Sequence, residues 1–449
     1  MLLAIDWSVV GIKTLEFILS FSILVVLHEL GHFIPARLFK CRVEKFYLFF
    51  DPWFSLFKKK KGETEYGLGW IPFGGYVKIS GMIDESMDKE QMKLPPQPYE
   101  FRAKPAWQRL IIMIGGVVVN VVLAIVIFIG IMWVWGEEFL PAKSLKYGIV
   151  ADSLGQKIGL KDGDLVLKVG NDNLKNALRI PGQIILNEAK TITISRDGNE
   201  SEIALPEDLI RQLNKSKGEN FIDVRIPFII RDFSKEGNAE KAGLKKGDRI
   251  YAIDNTSSLY YNDVKSVLKL DANKTVTVKV IRKSDTLSIP VLINKDGKLG
   301  AFPEAEWKKL GFDVQTKSYS FVEAVPAGFK KCWSTLGNYL TGIKQLFTGK
   351  AKASESLGSV ISIGGLFPEV WDWQRFWELT AIFSIILAFM NILPIPALDG
   401  GHALFTIVEM ISGRKPSDKF MEYAQMVGMI LLLGLMAYAM GLDVLRLFK

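Results

Sequence analysis

A chain of 449 residues with only two cysteines and a net charge of +8 holds no disulfide framework and no four-cysteine metal site. The charge is modest for the length. The one dense basic run, Lys58-Lys59-Lys60-Lys61, falls between two apolar segments, where a cytoplasmic loop explains it better than nucleic-acid binding. Apolar residues make up 49% of the sequence and the mean hydropathy is +0.19, which suits a membrane protein with a soluble insert and room for several domains.

In chain order, residues 1–36 are expected to form a first transmembrane helix. The apolar run Phe17 to Val25 lacks a small-residue cleavage site, so it reads as a retained span and not as a signal peptide. It ends in His28-Glu29-Leu30-Gly31-His32. Residues four apart share a helix face, so His28 and His32 can offer two imidazole nitrogens to one metal ion, with Glu29 turned toward a water. That is the H-E-x-x-H zinc pattern. Catalytic zinc leaves one position for water, whose pKa it lowers to about 7. A neighbouring carboxylate can take that water's proton during attack on a peptide carbonyl and pass it to the leaving amine. Stability offers no rival motive, because a His, Glu or Asp central in a lipid-embedded helix costs about 2–3 kcal/mol or more.

Residues 37–105 are expected to be a cytoplasmic loop with a membrane-associated β-hairpin. Val43 to Phe50 and Tyr66 to Ser80 read as strands broken by a lysine-rich turn. Within them, Gly69 to Val77 is too apolar for an exposed loop; its glycines suit a hairpin tip and its aromatics the membrane interface. A second span, Trp107 to Trp135 within 106–136, contains Gly115-Gly116, small enough for helices to approach closely, and Asn120, either a helix-packing hydrogen bonder or part of a site. From 140 to 295, strands and turns alternate with two helices. Here Ile158-Gly159-Leu160-Lys161-Asp162-Gly163-Asp164 recurs 84 residues later as Ala242-Gly243-Leu244-Lys245-Lys246-Gly247-Asp248. The G-L-x-x-G-D pattern resembles PDZ domains, so residues 137–220 and 221–295 are expected to be tandem PDZ-like α+β modules. Each either receives an extended peptide as an added strand, or merely fills space or excludes large substrates.

Within 296–372, Phe321, Val325, Phe329, Trp333, Leu336, Leu340, Ile343 and Phe347 fall at helical spacing, as a helix lying in the interface or a face packed on the spans would require. A third span, Phe376 to Leu393 within 373–402, runs into a segment rich in proline and glycine that contains Asn391, Asp399 and His402. A fourth, Met421 to Leu442, lies within 403–449. The expected fold class is thus a polytopic α-helical membrane protein of about four transmembrane helices, with a membrane-associated β-hairpin or sheet and two PDZ-like domains. Lysine and arginine bias puts the 37–109 loop and Arg414-Lys415 in the cytoplasm and the repeat outside it; Cys41 and Cys332 then lie on opposite sides. Two histidines leave a catalytic zinc one protein ligand short. Asp399, at the end of an apolar span, is a better candidate than Glu44, Glu63 or Glu65 in polar loops. His402 competes as a ligand, but reads better as a group that orients or bonds nearby backbone.

H-E-L-G-H in the first span, N-x-x-P-x-x-x-L-D-G-G from Asn391 to Gly401, and two PDZ-like modules between spans two and three resemble the site-2 protease family of intramembrane zinc metalloproteases, specifically its bacterial RseP-like group. The resemblance covers nearly the whole chain. It implies that His28, His32 and Asp399 bind Zn2+, that Glu29 is the catalytic base, and that Asn391 helps hold the substrate backbone. It also implies that the Trp70 to Val77 segment, with Gly74, Gly75 and Tyr76, pairs with an unwinding substrate. Substrates would be single-span membrane proteins of anti-sigma-factor type or remnant signal peptides, cleaved by regulated intramembrane proteolysis in the bacterial cytoplasmic membrane. Two segments depart from the family pattern: Gly116 to Asn120 lacks the proline of G-P-x-x-N, and G-P-[IV]-x-I reads Gly358-Ser359-Val360-Ile361-Ser362-Ile363. Readings from other classes fit less well. A membrane-anchored PDZ scaffold or adaptor without catalysis needs neither Glu29 nor Asp399. A metal transporter wants polar residues through several spans, and spans two and four are nearly bare of charge.

Overall fold

The computed structural model describes residues 7–82, 94–216, 221–234 and 237–447. The start of the expected first span, part of the 37–105 loop, a few residues of each expected module and the last two residues of the chain lie outside the described residues. The chain divides into two units, one of Met1–Gly136, Ser318–Leu340 and Leu357–Lys449, the other of Glu137–Lys317 and Thr341–Ser356.

The first helix, α1 (Trp7–Leu38), buries Phe17, Ser20, Leu24, His28, Gly31 and His32, a stripe recurring every three or four residues, as a helix facing protein on one side demands. A four-stranded sheet follows, built from β1 (Val43–Phe50), β2 (Phe57–Lys61), β3 (Thr64–Leu68) and β4 (Ile71–Ile79) in the order β2-β3-β1-β4. This corrects two expectations. Lys58 to Lys61 are not a turn: they form the fully exposed edge strand β2, where lysines discourage further strand pairing, and the chain reverses at Gly62, whose φ is +63°. Gly74 and Gly75 are not a hairpin tip. They lie inside β4, which pairs antiparallel with β1 and forms the other edge of the sheet. The second helix, α2 (Ala106–Val134), crosses α1 at its glycines; a Cβ on Gly31 would overlap the Gly115 carbonyl, and one on Gly115 the Gly31 carbonyl.

The second unit begins with β5 (Glu137–Phe139) and then repeats one topology twice. The first copy runs β6 (Ile149–Ala151), α3 (Ser153–Lys157), β7 (Leu165–Val169), β8 (Asp172–Asn173), α4 (Ile180–Leu186), β9 (Thr191–Arg196), β10 (Asn199–Ala204), α5 (Leu209–Lys215) and β11 (Ile222–Val224). Its sheet has the order β10-β9-β7-β8, and β11 pairs with β6. The second copy runs β12 (Ile230–Phe233), β13 (Arg249–Ile253), β14 (Thr256–Ser257), α6 (Tyr261–Leu270), β15 (Thr275–Arg282), β16 (Asp285–Leu292) and β17 (Ala301–Pro303). Its order is the equivalent β14-β13-β15-β16, with β12 paired to β17. The strand β18 (Gln315–Lys317) returns to β5. Four α-helices are described where two were expected. The boundary expected at 220/221 also moves, because Phe221, Ile222 and Val224, with Leu310 and Phe312, join the first copy's core, and Leu299 joins the second's.

The aspartate of each repeated motif has the same task. Asp164 is buried and takes two hydrogen bonds from Arg196, both at 2.7 Å, while Arg196 also donates to Gly159 O. Asp248 takes bonds of 2.7 and 2.8 Å from Arg282, which donates to Gly243 O. A buried carboxylate is tolerable when bidentately paired in this way.

The chain returns to the first unit with α7 (Phe321–Phe347), whose residues from Thr341 belong to the second; there Gln345 donates to Ile185 O at 2.8 Å. Of the two alternatives left open for this helix, packing on a neighbouring helix is seen, but mainly through small residues and not through most of the apolar residues read from the spacing. Ala324 and Cys332 are buried and a Cβ on Gly328 would come within 2.6 Å of Ile129 backbone, so a small-residue face packs on α2, while Phe329, Trp333 and Leu340 stay exposed. Two short helices, α8 (Ala353–Ser356) and α9 (Val360–Gly364), precede α10 (Trp373–Ile392), α11 (Asp399–Ser412) and α12 (Asp418–Leu447). The separate α11 was not expected; Pro394 and Pro396 follow the end of α10, and the chain restarts a helix at Asp399 before α12. Asp443 of α12 accepts from the Ser359 N–H (2.7 Å) and hydroxyl (2.6 Å) and from the Ser362 hydroxyl (2.5 Å). A proline at 359 would offer neither the N–H nor the hydroxyl, which explains that departure in physical terms. Among the described residues four helices, α1, α2, α10 and α12, are long and apolar enough to cross a membrane.

Burial alone would raise the Asp248 carboxyl, but the hydrogen bonds from Arg282 and the Lys245 N–H, with the Arg282 charge, hold it below its ordinary value. A depressed folded-state value means that its stabilisation is complete above the unfolded pKa of about 3.9 and is lost as pH falls through the lower folded value. Asp248→Asn is therefore expected to cost about 1–3 kcal/mol at neutral pH and to lose less further stability than wild type on acidification, as thermal unfolding across acid pH would measure.

Candidate active site

The second half of α1 presents His28 and His32 one turn apart, both buried. Room for the two imidazoles comes from α2: a Cβ on Gly116 would lie 2.5 Å from His32 Nε2 and 2.6 Å from His28 Cε1. The third group arrives from the segment after α10. There the backbone folds so tightly that a Cβ on Gly400 would overlap the Ile392 and Leu393 carbonyls, and one on Gly401 the Ile395 carbonyl. Only glycine allows this return. It sets Asp399 in the first turn of α11, where the helix dipole favours a carboxylate. Arg109 of α2 and Glu409 of α11, paired at 2.5 Å, tie these two helices together.

The three groups converge. His28 Nε2 and His32 Nε2 are each 3.3 Å from Asp399 Oδ2 and 3.3 Å from one another. Among the described residues they form a group able to hold a metal ion. Protonation sharpens the point. His32 Nδ1 lies 2.8 Å from the Ile112 carbonyl, which can only accept, so Nδ1 carries a proton, and the neutral ring then presents a lone pair at Nε2. His28 Nδ1 is 3.1 Å from the Asn120 amide nitrogen, while Asn120 Oδ1 is buried without a partner. A half-turn of that amide lets Oδ1 accept from the His28 Nδ1–H, passes the unmatched buried position to Nδ2, and leaves a lone pair on the neutral ring's Nε2. Asp399 Oδ2 is likewise buried without a hydrogen-bond partner. With both rings neutral, three lone pairs face one point, a donor set that fits a cation. Ligands about 2.0–2.1 Å from a tetrahedral zinc stand about 3.3 Å apart, the spacing these atoms have.

Around this point is a cavity of about 600 Å³, bordered by Glu29, Asn391, His402, Gly75 and Tyr76 as well as the three converging residues. Glu29 follows His28 on α1 and is half-buried. The Asn391 amide nitrogen is 3.3 Å from His28 Nε2. The Asn120 side chain lies against His28, and the residue's backbone carbonyl accepts from Ser384 of α10 at 2.8 Å. His402 borders the cavity but lies outside the converging trio. Gly75 approaches α1 closely, a Cβ there coming 2.6 Å from Val25 Cγ1. Tyr76 is a wall of the cavity, its hydroxyl donating to Asp51 Oδ1 at 2.9 Å and its ring stacked on Tyr47. Gly74 does not border the cavity; at φ +135° it faces the Phe50 ring. Gln425, from α12, does border it and escaped the sequence reading, because a single neutral polar residue in an apolar helix carries no motif.

Residues 16–435 match the family described as Peptidase family M50. The Escherichia coli K12 protein named regulator of sigma-E protease RseP is 27% identical over 453 residues, covering 96% of this chain and 98% of that one. A Neisseria meningitidis protein with a provisional zinc metalloprotease name is 29% identical over 458 residues, covering 96% and 99%. One from Treponema pallidum with the same kind of name is 26% identical over 438 residues, covering 93% and 95%. The chain therefore belongs to peptidase family M50, as a multi-pass membrane zinc metalloendopeptidase of the site-2 protease type.

Proposed function

We propose that the enzyme cleaves single-span membrane proteins, anti-sigma factors or remnant signal peptides, by regulated intramembrane proteolysis, with His28, His32 and Asp399 as the zinc ligands and Glu29 as the base. The observation that carries this reading is the triangle of donor atoms, each side 3.3 Å, at the wall of a cavity that also holds a half-buried glutamate. Zinc, when bound, supplies the positive charge that polarises a peptide carbonyl and acidifies a water. Glu29 takes the proton from the attacking water and delivers it to the amide nitrogen as the C–N bond breaks. Asn120 and the Ile112 carbonyl hold the two imidazoles in their ligating tautomers. Asn391 offers an amide to the substrate backbone.

A helical substrate hides its carbonyls in internal hydrogen bonds and must unwind to be cut; a strand edge compensates the freed groups. The edge strand β4, with Gly75 and Tyr76 at the cavity, supports that role, although as the rim of a sheet and not as a hairpin tip. Gly74 then acts on the shape of the strand. The two repeat copies are PDZ-like modules that lie outside the cytoplasm of a bacterial inner membrane, because the basic loops mark the opposite side. They select substrates by size or by reading a peptide carboxyl terminus.

Purified wild-type protein is expected to cleave a truncated single-span substrate. Glu29→Gln should lose cleavage while retaining zinc, and Asp399→Asn should lose both; cleavage by Glu29→Gln would overturn its assignment. Chelation should abolish activity and added zinc restore it. Gly116→Val should lower bound zinc by crowding both imidazoles, and Asn120→Ala should weaken zinc affinity about 10–100-fold, as metal titration with a competing chelator would measure.

A further inference from the structure

Gln425 is only 6% exposed, and its Oε1 is buried without a hydrogen-bond partner. A half-turn of the side chain exchanges oxygen and nitrogen, so either way an amide atom is left unmatched. Leaving such a group buried costs free energy that a leucine would not incur. Its place is also firmly set. Three residues further along α12, a Cβ on Gly428 would come 2.7 Å from the Ala397 nitrogen, so the helix presses on the loop leading into Asp399. That contact keeps Gln425 at the cavity shared by Glu29, Asn391 and Asp399. An unwound peptide brings there N–H and carbonyl groups that have lost their helical partners. A neutral amide, with one acceptor and two donors, matches a peptide bond whatever its side chains.

We propose that Gln425 is a substrate-binding residue that hydrogen-bonds the backbone of the unwound segment, supplying from α12 a peptide contact additional to that of Asn391. This rests on the reading of the cavity as the site of peptide cleavage. The test compares full-length wild type with Gln425→Leu on a single-span substrate, recording kcat, KM, bound zinc and thermal stability. The expected result is a loss of about tenfold or more in kcat/KM with zinc unchanged and stability unchanged or raised. Equal kcat/KM, or a loss that tracks a fall in stability, overturns the proposal and leaves the protease reading standing. A second measurement does not need turnover: in a Glu29→Gln background, Gln425→Cys should form a disulfide with single cysteines placed near the cleavage position of the substrate. Crosslinking without cleavage by wild type would support the contact while removing the protease reading. Absence of crosslinks at every position would overturn the contact.

Discussion

The closeness of α1 and α2 is the constraint on which the first unit depends. Gly31 and Gly115 meet backbone to backbone, and Gly116, next along, leaves the volume that the two imidazoles fill. In an apolar solvent, helices gain little from burying apolar side chains against one another, so close backbone approach and a few polar contacts carry the association. Those contacts and the chemistry use the same residues. His32 is oriented by the Ile112 carbonyl and His28 by Asn120, both from α2. Moving α2 outward by the width of a methyl group would therefore loosen the packing and misdirect both histidines.

Asp399 is delivered by a different device. Prolines 394 and 396 follow the end of α10, and two glycines let the backbone fold onto itself as α11 begins. Neither a continuous helix nor a longer flexible loop would hold a carboxylate at 3.3 Å from two imidazoles. Several other polar groups of the apolar helices are paired. Ser20 meets Thr380, Ser384 meets the Asn120 carbonyl, and Asp443 is surrounded by Ser359 and Ser362. These pairs hold helices together. Asp399 and Gln425, two residues that border the cavity, each carry an oxygen without a hydrogen-bond partner. These are the two residues that cation and substrate are proposed to meet.

The second unit solves a more ordinary problem twice. Each copy builds a small four-stranded sheet over an apolar core and anchors its motif loop with one buried aspartate under one arginine. The repeated G-L-x-x-G-D shows only half of that device, since Arg196 and Arg282 come from strands further along the chain.

What the sequence by itself determined is everything governed by local period or composition. The four long apolar helices follow from apolar length, the histidine pair from helical spacing, and the repeat from self-similarity. The choice of Asp399 followed from its place at a broken apolar helix. Tertiary structure decided what depends on contacts between distant residues. Lys58 to Lys61 look like a turn by charge, yet pair with β3 as an edge strand. Gly74 and Gly75 look like a tip, yet lie in β4, which pairs with β1; approaches from Phe50, Tyr47 and Val25 leave little space there for a Cβ. Phe221 and Phe312 join one core across a long stretch of chain. The roles of Asn120 and Gln425 have the same origin: a lone amide in an apolar helix has no local signature, and its meaning is set by the residue or the cavity that faces it.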